Sequence, residues 1–122
     1  YRAKEAGRNT YRFFDEAMGE EAVEHLLMRS GLRRAIERGE FVLHYQPQVD
    51  IASGRVVGVE ALLRWEHPEF GLVQPGRFIP VAEESGLIVP IGAWVIEEAC
   101  RQAMVWRRAG LQDLVMAVNL SA

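Results

Sequence analysis

The chain has 122 residues, 14 basic and 17 acidic side chains for a net charge of −3, and is 49% hydrophobic and 25% charged. That fits one folded domain and excludes a disordered or collagen-like chain. The acidic balance argues against a protein that grips a DNA or RNA polymer along its phosphates, and no apolar run reaches the roughly 20 residues a bilayer crossing needs.

Tyr1 to Ala6 reads as the last turns of a helix, stopped at Gly7. Between Asn9 and Phe14, Thr10, Arg12 and Phe14 alternate with Tyr11 and Phe13, which predicts a short strand. A helix is predicted over Glu16–Arg38, with Val23, Leu26 and Leu27 as one apolar group and Leu32, Ala35 and Ile36 as a second. Its other positions are dense in Glu and Arg, as in a half-exposed connecting helix, and Gly39 closes it. At Phe41 the period changes to two. Phe41, Leu43 and Tyr45 share one strand face, and His44 and Gln46 the other. Asp50 to Gly54 carries turn chemistry, and Val56–Trp65 reads as a second strand, so the pair predicts a hairpin.

His67 to Gly76, punctuated by Pro68, Gly71 and Pro75, reads as a loop. Helices follow over Arg77–Ser85, ended by Gly86, and Ile91–Ala109, capped by Gly110. The second carries Val95, Ala99, Ala103 and Trp106 on one side. Leu114–Leu120 is a third strand, apolar except for Asn119. This order predicts an α/β layer fold. A nearly all-apolar strand asks for neighbours on both edges, yet the chain stops two residues later, so both ends are expected to be cuts in a longer protein.

The second strand is the informative one. By parity, Val57, Val59, Ala61, Leu63 and Trp65 make a wholly apolar face fit to lie under helices. Val56, Gly58, Glu60, Leu62 and Arg64 make the other. Glu60 and Arg64 are four residues apart, about 13 Å on an extended strand, too far for a salt bridge with one another. A charge inside an apolar strand needs a partner, water or a metal. Spacing alone leaves two readings of Glu60 open, an ion pair with a neighbouring strand or a metal-binding carboxylate at a cleft. Asn119 poses the same question, and on spacing alone its amide reads first as satisfying a buried backbone group and second as a ligand.

Glu60-Ala61-Leu62-Leu63-Arg64-Trp65 resembles the signature of the EAL family, bacterial phosphodiesterases acting on cyclic di-GMP. The frame around it agrees: Tyr45-Gln46-Pro47, His67-Pro68-Glu69, Phe78-Ile79-Pro80 with Ala82-Glu83, Gly86-Leu87-Ile88, Ile91-Gly92 with Trp94-Val95, and Val118-Asn119-Leu120-Ser121. The likeness runs from Phe41 to the last residue. Tyr1-Arg2-Ala3-Lys4, Gly7-Arg8-Asn9 and Tyr11 with Phe13-Phe14 are similar to the closing helix and strand of GGDEF (diguanylate cyclase) domains. Residues 1–15 are thus expected to end a GGDEF domain, 16–40 to form a linker helix, and 41–122 to begin an EAL domain. In active cyclases a Lys and an Arg at the Lys4 and Arg8 positions contact nucleotide phosphates. The rest of that site is missing here, so both read as exposed charges at a helix end.

The resemblance implies the N-terminal portion, about three strands with their helices, of a (β/α)8 TIM-like barrel whose first strand runs against the others, with a site at the C-terminal strand ends. It implies Glu60 and Asn119 as ligands of Mg2+ or Mn2+ in a two-metal site. It also implies that the Leu63 backbone, the Arg64 side chain and Gln46 bind the dinucleotide, and that the product is linear pGpG. The family's remaining carboxylates and catalytic lysine are expected beyond Ala122, so no catalytic residue other than the metal ligands is expected here and the chain alone is expected to be inactive. The alternative is a catalytically degenerate EAL domain that acts as a cyclic di-GMP receptor. A third reading has the Glu16–Arg38 helix pair protomers into a homodimer. The expected location is cytoplasmic, with no membrane contact by this segment and any anchor upstream.

Other residues carry less. His25, His44 and His67 have no ligand spacing among themselves and read as packing or surface residues. Trp94, Met104 and Trp106 read as core, Glu97 and Glu98 as a solvated helix face. Cys100, the one cysteine, excludes an internal disulfide or cysteine-rich zinc site and reads as a buried inert thiol.

Overall fold

A computed structural model describes residues 8–111 and 113–119. In chain order the elements are α1 (Arg8–Glu37), β1 (Phe41–Val49), β2 (Val56–His67), β3 (Gly71–Val73), α2 (Pro75–Ser85), α3 (Ile88–Arg108) and β4 (Val115–Val118). The expected hairpin forms: β1 pairs antiparallel with β2 in a register that sets Phe41 opposite Trp65 and Gln46 opposite Glu60. β1 takes one edge of β2. Along the other edge, β4 runs parallel to Gly58–Ala61 and β3 antiparallel to Trp65–His67. β1 running against β2 and β4, with β4 parallel to β2 after two intervening helices, is the α/β arrangement of an opening barrel segment.

Asp50 builds the hairpin turn. Its carboxylate accepts from the Ser53 hydroxyl at 2.7 Å and the Ala52 N–H at 3.4 Å, and these bonds, the Ser53 one first, hold its carboxyl below the usual carboxylate range. The helix ends follow the glycines. At Gly39 (φ 67°), the Glu40 N–H donates to Ala35 O at 2.9 Å and the Gly39 N–H to Ile36 O at 3.3 Å. Gly110 closes α3 with the same pair of bonds, from Leu111 to Trp106 and from Gly110 to Arg107. Both satisfy orphan carbonyls of the last turn.

Several expectations change. Asn9–Phe14 is helical, the start of α1, and not a strand. Tyr11, Phe14 and Met18 also fall at helical spacing (i, i+3, i+7), and extending an existing helix costs far less than nucleating a new element. The expected helix over Tyr1–Ala6 lies outside the described residues. The presumed loop at His67–Gly76 contains β3: the buried His67 ring accepts the N–H groups of Glu69 and Phe70 on Nδ1, at 3.0 and 3.3 Å, and so turns the chain back. α2 and α3 start two and three residues earlier than their apolar patterns do. Pro75 suits the first helical position, and Pro90 falls in a first turn whose N–H groups have no helical partner.

The core lies between the helices and one face of the sheet. Trp65, Phe78, Leu32, Ile91, Val73 and Val95 are fully buried. Phe41 lies 5.8 Å from both Trp65 and Phe78 and 6.0 Å from Trp94, ring centre to ring centre. Gly31 lets α1 approach closely, since a Cβ there would sit 3.2 Å from the Trp65 ring. Glu40 clasps the strand: Oε1 accepts from Trp65 Nε1 at 3.0 Å, and its carbonyl accepts the Glu66 N–H at 2.8 Å. Of the apolar face of β2, Val59, Ala61, Leu63 and Trp65 are buried as expected, while Val57, beside the hairpin turn, is exposed.

Among the described side chains of α1, the second apolar group reaches the core, joined by Met28, while Val23, Leu26 and Leu27 are exposed. Arg77–Glu24 and His25–Glu84 ion pairs link α1 to α2, too exposed to stabilise much. Along α3 the buried line is Ile91, Val95 and Ala99. Cys100, one residue and about 100° off that line, is exposed, and so is Met104 one turn on. Both were expected inside. Trp94 and Trp106 are half-buried, Trp94 against the core and Trp106 edge-on to Tyr45 at 4.9 Å. Glu98 is half-buried and pairs with Arg101, whose hydrogen bonds hold its carboxyl below the usual range.

Candidate active site

The alternate residues of β2, namely Gly58, Glu60, Leu62 and Arg64, point to the opposite face. The register adds Gln48, Gln46, His44 and Val42 from β1, and Val115 and Ala117 from β4. Where the covered face is almost wholly apolar, this one gathers a carboxylate, a guanidinium, an imidazole and two amides. Glu60 and Arg64 are half-buried, while Gln46 and His44 are exposed.

Glu60 has Gln46 opposite it on β1 and Ala117 opposite it on β4, neither of them basic. Among the described residues it makes no ion pair, so the neighbouring-strand salt bridge is not realised there. Arg64 makes none either. Its Nη1 donates to the Leu63 carbonyl at 2.8 Å, which steadies the guanidinium and leaves its other N–H groups free for a ligand. The Leu63 side chain is buried in the core, which leaves its backbone as the part open to a ligand.

Asn119 lies just past the end of β4 and is exposed. Its amide makes no hydrogen bond among the described residues. With Leu62, Leu63, Arg64, Gly76 and Pro80 it lines a cavity of about 340 Å³. The first turn of α2 borders this cavity at Pro75 and Gly76, where a helix N-terminus favours negative charge. The structure thus brings Leu63, Arg64 and Asn119 to one cavity, and sets Gln46 against Glu60 on the same sheet face.

The donor chemistry fits a hard divalent cation. A carboxylate from β2 and an amide oxygen beyond β4 offer hard oxygen donors on neighbouring parallel strands. Among the described residues no group of three His, Cys, Asp or Glu could hold a metal, so these two donors alone do not make a site.

His44 shares this face, opposite Leu62, although its spacing to the other histidines carried no signal. Its alternation with Gln46 was the signal available. On the covered side, the Tyr45 hydroxyl is buried without a hydrogen-bond partner, and burial, with the Glu98 charge, pushes its pKa up.

Comparison with known proteins matches residues 29–122 to the EAL domain family. The chain is 55% identical over its whole length to the bifunctional diguanylate cyclase/cyclic di-GMP phosphodiesterase MucR of Pseudomonas aeruginosa, covering 18% of that protein. It is 47% identical, again over its whole length, to the cyclic di-GMP phosphodiesterase PdeR of Escherichia coli, covering 18% of it. The solved PaMucR phosphodiesterase, in complex with cyclic di-GMP, superposes with a TM-score of 0.74 at 56% identity, over 78% of this chain and 38% of that one. The chain therefore spans under a fifth of the length of these two relatives. With the Glu-Ala-Leu-Leu-Arg strand set in a barrel-type sheet and the family match covering most of its residues, the chain belongs to the EAL domain family.

Proposed function

We propose that the EAL domain to which this chain belongs hydrolyses cyclic di-GMP to linear pGpG with the help of Mg2+ or Mn2+, and that these 122 residues alone are inactive. The observation that carries the reading is the shared face of Glu60 and Arg64, with Asn119 in the cavity of Arg64. Relatives named as cyclic di-GMP phosphodiesterases support the substrate. In this reading Glu60 and Asn119 hold metal through oxygen. Arg64, braced by the Leu63 carbonyl, binds a phosphate through its remaining N–H groups, the planar fork suiting two oxygens at once. Gln46 lies along the dinucleotide beside Glu60. Bound divalent ions supply a nucleophile at neutral pH and charge stabilisation for an in-line displacement. Two ligands cannot assemble that site, hence the inactivity of the isolated chain. Residues 1–15 close a GGDEF domain in this reading, in keeping with the bifunctional name of the Pseudomonas relative.

The test is cyclic di-GMP turnover by the parent polypeptide with Mg2+ or Mn2+, beside Glu60→Ala. Metal-dependent pGpG, abolished by the substitution, is the expected result. Tight binding without turnover would make the domain a receptor, and neither binding nor turnover would overturn the reading.

A further inference from the structure

We propose that His44 positions the substrate in this site, its imidazole N–H donating a hydrogen bond to a phosphate oxygen of the dinucleotide. The inference rests on the phosphodiesterase reading above. Its grounds are in the sheet register. His44 is opposite Leu62, and Leu62 lies between Glu60 and Arg64 on β2, so His44 is the diagonal neighbour of both. Diagonal cross-strand neighbours are about 7–8 Å apart at the backbone, within reach of a side chain the size of imidazole. A phosphate held by the Arg64 guanidinium on the Glu60 side of β2 would lie beside that point.

The other two histidines are committed elsewhere. His67 is buried with Nδ1 taken by two backbone N–H groups, and His25 faces Glu84 at 3.4 Å. Of the three histidines, His44 is the one exposed on the Glu60 face, and it makes no side-chain hydrogen bond among the described residues. Neutral imidazole keeps one N–H donor whichever tautomer it adopts.

The experiment uses the parent polypeptide with His44→Ala, His44→Leu and His44→Gln. Cyclic di-GMP affinity is measured in EDTA, where hydrolysis is stopped, and KM and kcat in Mg2+. We expect Ala and Leu to weaken binding and raise KM about tenfold, the worth of one hydrogen bond to a charged acceptor, with kcat within about twofold. Gln, which keeps an N–H donor, restores most of the affinity. Melting curves matching the wild type show that no variant has lost its fold. Wild-type affinity in the Ala variant, or equal affinities for Leu and Gln, would overturn the role of His44 while leaving the enzyme reading intact. A wild type that neither binds nor cleaves cyclic di-GMP would overturn both.

Discussion

The two faces of β2 are made by alternate residues of one strand, yet they answer to different demands. On the covered face Ala61, Leu63 and Trp65 are sealed under α1, α2 and α3, and the polar groups there are few and mostly paired, as Trp65 Nε1 is with Glu40. On the open face Glu60 and Arg64 stay half-buried without ion-pair partners among the described residues, an arrangement that adds little to folding and suits a ligand. A strand with a two-residue period can therefore carry stability and chemistry side by side, one residue apart, with little trade between them.

Substitutions on each face test that separation. The largest effect is expected from Trp65→Ala, which removes a fully buried indole at the meeting point of Phe41, Phe78 and His67. It should cost about 3–5 kcal/mol, read from chemical denaturation. Glu60→Gln and Arg64→Ala, a few residues away on the other face, should each change stability by about 1 kcal/mol or less while removing turnover. A large stability loss from either would mean that the open face also holds the fold together.

The smallest effect sharpens the covered side. Tyr45→Phe deletes a buried hydroxyl with no partner and should leave stability unchanged or raise it by up to about 1 kcal/mol. Because burial lifts the Tyr45 pKa above its ordinary value of 10.0, the folded form favours the protonated phenol. Its contribution is complete below pH 10.0 and is lost as pH rises through the folded-state pKa. The melting temperature of Tyr45→Phe should therefore fall less than that of the wild type at strongly alkaline pH.

Much of this was legible in the residues. Alternation from Phe41 and Val56 placed the hairpin, and parity in β2 separated Trp65 from Glu60. Glycines marked the helix ends because the left-handed backbone there excludes most other residues. What escaped reading depended on contacts distant in sequence or on side chains acting on the backbone. His67 makes a turn that Pro and Gly punctuation disguised as a loop, so β3 was missed. The exposure of Cys100 follows from the angular position of the Ile91–Val95–Ala99 line, which the apolar composition of α3 blurs. Val23 and Leu26 have core-like spacing, but spacing cannot say how far along α1 the core extends. His44 has no ligand spacing to the other histidines, and its place beside Glu60 and Arg64 depends on the strand opposite.

The Glu40 clasp has a bearing on sequence drift. Glu40 grips both Trp65 and Glu66 at the end of the hairpin away from its turn, and the pairing irregularity sits at the other end, between Gln48 and Val49. A slip of one residue would exchange the faces and turn Glu60 towards the core. With the register pinned at the clasp and slack confined near the turn, residues added or lost between Asp50 and Arg55 can be absorbed there. The loop is thus free to vary in length while Gln46 stays opposite Glu60.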